Sequence, residues 1–207
     1  MICKDNKIRF YHARIAAMGP NREIFTGELH VEGNRITYVG DAENAPQKMW
    51  DCEIDVENDL LLPGFKNAHT HSAMTFLRSM ADDLPLQEWL NEQVFPNEAK
   101  LKGEEAYLFA KIAIMEYLTS GITSAFDMYI YPKEVIQACV DCGFRIVQVS
   151  GLNNFTSSLE ELEEQYVTYN DYHELCSYKL GFHAEYTTDK KLLEGLAGLS
   201  EKYHAPV

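Results

Sequence analysis

The first 60 residues alternate apolar and polar positions in short runs, the period-two signature of strands with one buried face. Candidate strands cover 8–13, 29–32, 35–39 and 54–56, and Gly33-Asn34 between the second and third predicts a tight hairpin. This opening predicts a small antiparallel sheet. After Asn58 the pattern changes: Leu60, Leu61 and Leu62 lead through Pro63-Gly64 into FKNAHTH, and strands and helices then alternate. Residues 104–120 are apolar almost all round, apart from Glu104, Glu105, Lys111 and Glu116, which predicts a largely buried helix stopped by Gly121. A strand is predicted at 123–127, a helix at 133–142 ended by Gly143, and a strand at 145–150. Ser158 opens a helix with Glu161 three residues on, as in a capping box. A strand at 180–184, a helix at 189–203 and a lead-in to another strand at 205–207 complete the pattern.

This βαβα order predicts an α/β chain with a parallel sheet and helices outside it. Four strands follow residue 60, whereas a (β/α)₈ barrel needs eight, so the expectation is about the first half of a TIM-type barrel. Composition changes little in this picture. Apolar residues make up 46% and charged residues 24% of 207 residues, ordinary globular values. The net charge of −14 argues against nucleic-acid and anionic-membrane partners, since both repel an acidic protein. The five cysteines, Cys3, Cys52, Cys139, Cys142 and Cys176, fit a reducing compartment. No signal-peptide pattern and no run of 18 apolar residues is visible, so a cytoplasmic location is expected.

His69-Thr70-His71 is the strongest local chemical feature. Residues i and i+2 of a strand point to one face, so two imidazoles at the end of a strand can hold one divalent ion. Barrel active sites lie at that end of the strands. The remaining candidates are weaker. Cys139-Val140-Asp141-Cys142 reads as small buried hydrophobes at a helix end, because no second pair follows. His12, His30 and His173 read as surface or structural, and His204 as a surface residue at a helix–strand junction.

The stretch LLLPGFKNAHTHSAM, with LQEWLNEQVFPNEAKL and GFHAEYTT further on, resembles the amidohydrolase superfamily. More narrowly it resembles the branch of 5-methylthioadenosine/S-adenosylhomocysteine deaminases and related chlorohydrolases. The resemblance implies that residues 1–58 are the N-terminal part of a small β-sandwich domain, and 59–207 the first half of a metal-dependent hydrolase barrel. It implies His69 and His71 as metal ligands, zinc or another divalent ion such as Fe²⁺ as cofactor, and Glu98 of FPNEA as a contact to a substrate's ribose hydroxyls. It implies His183 as a catalytic and substrate-orienting residue facing the reaction centre. The implied reaction is hydrolytic deamination of an aminated purine nucleoside or related heterocycle by metal-activated water, in an enzyme that can be a homo-oligomer. Guanine or cytosine deamination, triazine dechlorination and cyclic-amide opening use the same metal logic.

Two departures bear on the substrate. His183-Ala184-Glu185-Tyr186 stands where the family has His-Ala-Pro-Tyr, and Gln148-Val149-Ser150 where adenosine-processing members carry an arginine. The family's third metal histidine and shuttle glutamate lie in a His-x-x-Glu motif at strand five, and an aspartate at strand eight completes the site. The 207 residues end at KYHAPV, before either, so this stretch alone is expected to lack deaminase activity. The rival expectation is a non-catalytic half barrel that needs a complementing chain.

Overall fold

The computed structural model describes residues 6–20 and 23–207, so Cys3 lies outside the described residues. The chain divides into two compact units, meeting in sequence at Pro63 and Gly64.

The first unit is one mixed sheet. Its strands are β1 (Lys7–Ala16), β2 (Ile24–Glu32), β3 (Arg35–Gly40), β4 (Cys52–Asp55) and β5 (Leu60–Leu61). The order is β3-β2-β1-β4, with β5 also on β1. The hairpin forms as the sequence predicts, with Gly33 at φ 59° in its turn. The expectation that this sheet is antiparallel throughout does not hold for the described residues. β4 and β5 both run parallel to β1, and one sheet accounts for all five strands. The long connections from β3 to β4 and β5 carry the chain back to start in β1's direction, which alternation within each strand cannot reveal. One face is secured by a polar network. Glu28 Oε2 accepts from Arg9 Nε at 2.8 Å and from His30 Nε2 at 2.9 Å. Buried His30 lies against Trp50 and Tyr38, at ring separations of 4.4 and 5.0 Å. His30 is thus structural, whereas His12 is exposed beside Asp55.

The second unit is a four-stranded parallel sheet, β6 (Phe65–Thr70), β7 (Ile122–Met128), β8 (Arg145–Val149) and β9 (Cys176–Lys179), in sequence order. Between β6 and β7 come α1 (Leu86–Glu88), a π-helical turn over Trp89–Val94, α2 (Phe95–Glu98) and α3 (Gly103–Thr119). The helices α4 (Pro132–Cys142), α5 (Leu159–Tyr169) and α6 (Lys190–Tyr203) follow the later strands. The sheet is open, with β6 and β9 at its edges. Ala125, Ile146, Cys176 and Tyr178 face the helices and form the core with Ala110, Ile114, Val135, Ile136, Leu162 and Leu196. Gly143 ends α4 in the left-handed region, and Ser158 caps α5 by accepting the Glu161 N–H at 3.1 Å.

Three predicted elements differ. The last strand lies at Cys176–Lys179 instead of 180–184. The ladder to β8 runs from Ile146↔Cys176 to Val149↔Lys179, and the alternation Cys176, Tyr178, Leu180 points into the core. The more apolar Leu180 to Phe182 segment packs beyond the end of the ladder, with only a bridge from Phe182 to Leu152. Helix α3 is not largely buried: Ala106, Ala110, Ala113 and Ile114 are, while Leu108 and Met115 are each 58% exposed. Residues 205–207 form no strand, and His204 is an exposed left-handed C-cap. Cys139 is buried and Cys142 half-buried, as small core residues. Among the described residues, no helix is long and apolar enough to cross a membrane.

Candidate metal and substrate site

The two candidate histidines at 69 and 71 lie at the carboxyl end of β6, and His183 lies beyond that of β9. His69 is the penultimate residue of β6, and His71 follows the strand's last residue, with φ −129° and ψ 75°. The chain has already left the extended conformation at His71, so the pair is not a simple i, i+2 strand pair. The rings nonetheless come together, with centroids 5.0 Å apart and planes nearly perpendicular. His71 Nδ1 lies 2.7 Å from the carbonyl oxygen of Met128 at the end of β7. A carbonyl only accepts, so Nδ1 carries the proton and Nε2 keeps its lone pair for a ligand. Histidines that ligate metals are held this way.

Glu98 sits half-buried at the end of α2. Burial pushes its carboxyl up, opposed by the Tyr129 hydroxyl and by the charge of His71. Tyr129 is itself buried, and its hydroxyl faces Glu98 without a well-formed hydrogen bond. His183 lies in the loop after β9, four residues past the strand's end. Partial desolvation, then the charge of His71, pulls it below the ordinary histidine value. Its backbone is fixed by a 2.9 Å bond to Leu152 O. Its Nδ1 is 2.9 Å from Thr187 Oγ1, and that hydroxyl gives its own proton to Ala184 O at 3.0 Å. Nδ1–H is therefore the donor, and neutral His183 presents Nε2 as an acceptor. The structure thus brings Glu98 and His183 each within electrostatic reach of His71.

Sequence reading missed the groups behind this arrangement. Asp127 of β7 is fully buried, and its Oδ1 accepts the Ser72 N–H at 3.1 Å. Burial pushes this carboxyl up to about 6. The signal was an aspartate flanked by Phe126 and Met128 near the carboxyl end of a predicted strand. Beside the loop, a cleft of about 720 Å³ opens along Thr70, His71, Arg78, Trp89 and Tyr117.

The donor set suits a divalent ion: two imidazoles, one with its tautomer fixed, are borderline-soft neutral ligands that zinc accepts. Among the described residues, no three His, Cys, Asp or Glu side chains converge as a complete metal centre.

The profile of the amidohydrolase family matches residues 60–207. A 5-methylthioadenosine/S-adenosylhomocysteine deaminase of Syntrophomonas wolfei is 39% identical over 204 residues, covering 93% of this chain and 46% of that protein. A 5′-deoxyadenosine deaminase of Methanocaldococcus jannaschii is 35% identical over 188 residues, 87% of this chain and 44% of its own length. Among solved structures, a triazine hydrolase from Arthobacter aurescens superposes with a TM-score of 0.85 at 19% identity, covering 97% of this chain and 51% of that one. A Xanthomonas campestris adenosine deaminase with bound zinc gives 0.83 at 25% identity, covering 98% and 48%. The chain thus spans about half the length of the relatives it matches. With a family profile over the whole parallel-sheet unit and relatives above 30% identity, this chain belongs to the amidohydrolase family.

Proposed function

We propose that this chain carries the first metal ligands and part of the substrate site of a metal-dependent hydrolase that deaminates an aminated purine nucleoside or a related heterocycle. The observation that supports this best is His71. Its Nδ1 is committed to the Met128 carbonyl, its Nε2 keeps a lone pair beside His69, and Glu98 and His183 both lie within its electrostatic field.

His69 and His71 would hold zinc or another divalent ion, which when bound supplies Lewis-acid activation of water. The other steps fall to the protein's own groups. Glu98 can accept hydrogen bonds from two neighbouring hydroxyls of a sugar. Neutral His183 can take a hydrogen bond from a substrate N–H or O–H at Nε2, and its lowered proton affinity keeps it neutral at physiological pH. The names of the sequence relatives support adenosine-type substrates. Triazine dechlorination rests on likeness of fold, which does not choose a reaction.

The test is to purify the natural gene product, measure its bound metal, and assay ammonia release from a panel of aminated purines and pyrimidines. The double variant His69→Ala/His71→Ala should lose metal and turnover together. Unchanged metal content and turnover in that variant would refute the proposal.

A further inference from the structure

We propose that Tyr117 is a positioning residue for the His69–His71 pair, gripping the chain on both sides of His71. The need for such a grip follows from the ladder. β6 pairs with β7 at Asn67↔Ala125 and next at Thr70↔Asp127, three steps on one strand against two on the other. The extra residue leaves His69 in an irregular stretch, and the chain bends out of the strand at His71. Backbone pairing alone therefore does not fix the two imidazoles.

Side chains supply what the ladder omits. The Tyr117 hydroxyl on α3 is 2.5 Å from Thr70 Oγ1 and 3.1 Å from Ser72 Oγ, the residues directly before and after His71. Asp127 Oδ1 takes the Ser72 N–H, and Met128 O takes the His71 ring proton. The His71 carbonyl accepts from Met74 N at 2.9 Å. Tyr117 can hold its end because its ring is packed, 5.5 Å from that of Phe144, on a 17-residue helix. It is the one side chain in this set that bonds to both neighbours of His71. A ligand pair held within tenths of an ångström keeps its affinity, whereas a loosened pair loses it.

The experiment compares the natural gene product with its Tyr117→Phe variant, which removes the hydroxyl and keeps the ring. In the metal-free proteins, nitrogen NMR of the histidine rings reads the tautomer and mobility of His71. Calorimetric titration with zinc ion alone then reads affinity, a readout that rests on the metal assignment proposed above. In the wild type the His71 ring should show a single Nδ1–H form. In Tyr117→Phe that signal should broaden or mix, and zinc affinity should fall about tenfold. Thr70→Val/Ser72→Ala should reproduce the change, and adding Tyr117→Phe to it should cost little more. This second variant carries the test if Tyr117→Phe does not fold. An unchanged His71 ring overturns the proposal, whether or not zinc affinity falls, because any loss then arises elsewhere. If the wild type takes up no zinc, the metal assignment fails, and the ring signals of the metal-free proteins still decide the role of Tyr117.

Discussion

Replacing Asp127 by asparagine measures what it costs to bury a carboxylate behind the loop that carries His71. Asp127 is inaccessible to water, Oδ1 receives one backbone N–H from Ser72, and Oδ2 has no partner among the described residues. One hydrogen bond cannot replace the lost hydration of a charge, so the carboxyl rises from an ordinary 3.8 to about 6. That difference corresponds to about 3 kcal/mol at neutral pH. The sign is destabilising. Between about pH 4 and 6 the folded chain holds a proton that the unfolded chain has released, so stability falls as pH rises through this window and then levels off. Asparagine keeps an oxygen for Ser72 and does not ionise. Its amide also finds Gln148 in register on β8, with both side-chain polar atoms unpartnered. Urea unfolding of wild type and Asp127→Asn, with chelator present from pH 4.5 to 8, isolates the effect, because other titrating groups cancel in the difference. The advantage of the variant should grow by roughly 2 kcal/mol between pH 4.5 and 7.5. A difference that stays flat, or a wild type that gains on the variant as pH rises, would refute the reasoning.

Glu28→Gln should cost about 2 kcal/mol at pH 7, because it discharges a buried carboxylate shared by Arg9 and His30. Arg9 holds Glu28 below its ordinary 4.5, so this stability is present above that pH and lost as pH falls below it. The gap between variant and wild type in denaturant midpoint should close in acid. Ser158→Ala removes the cap of α5 and should cost about 1 kcal/mol, seen as faster amide exchange in its first turn. Gly64→Ala would set a Cβ 2.2 Å from Thr123 Cγ2, on a β-branched side chain with little freedom to turn away. It should lower stability by roughly 1–3 kcal/mol in thermal unfolding.

The parallel-sheet unit was legible because its signals are local. Gly121 and Gly143 adopt positive φ where helices stop, Ser158 caps where a cap is predicted, and alternating strands and helices leave little choice but a parallel sheet. His69-Thr70-His71 was legible for the same reason, since two nearby imidazoles need only a short stretch of chain. Other features depend on partners distant in sequence. The apolar circumference of α3 predicts burial, but hydrophobicity states what a surface prefers and not what lies against it, and Leu108, Ile112 and Met115 are exposed. The final strand sits at Cys176–Lys179 because its partner β8 sets the register, overriding the more apolar residues that follow. Glu98 and His183 stood out only by family resemblance; the fold brings both within the field of His71. The order of elements, the parallel sheet of the second unit and the histidine pair are all written in local sequence pattern. The tertiary fold alone brings Met128 onto the His71 ring, and Asp127 and Tyr117 onto the residues beside it. Their hydrogen bonds close loops of 45 to 57 residues, a span over which no periodicity carries information.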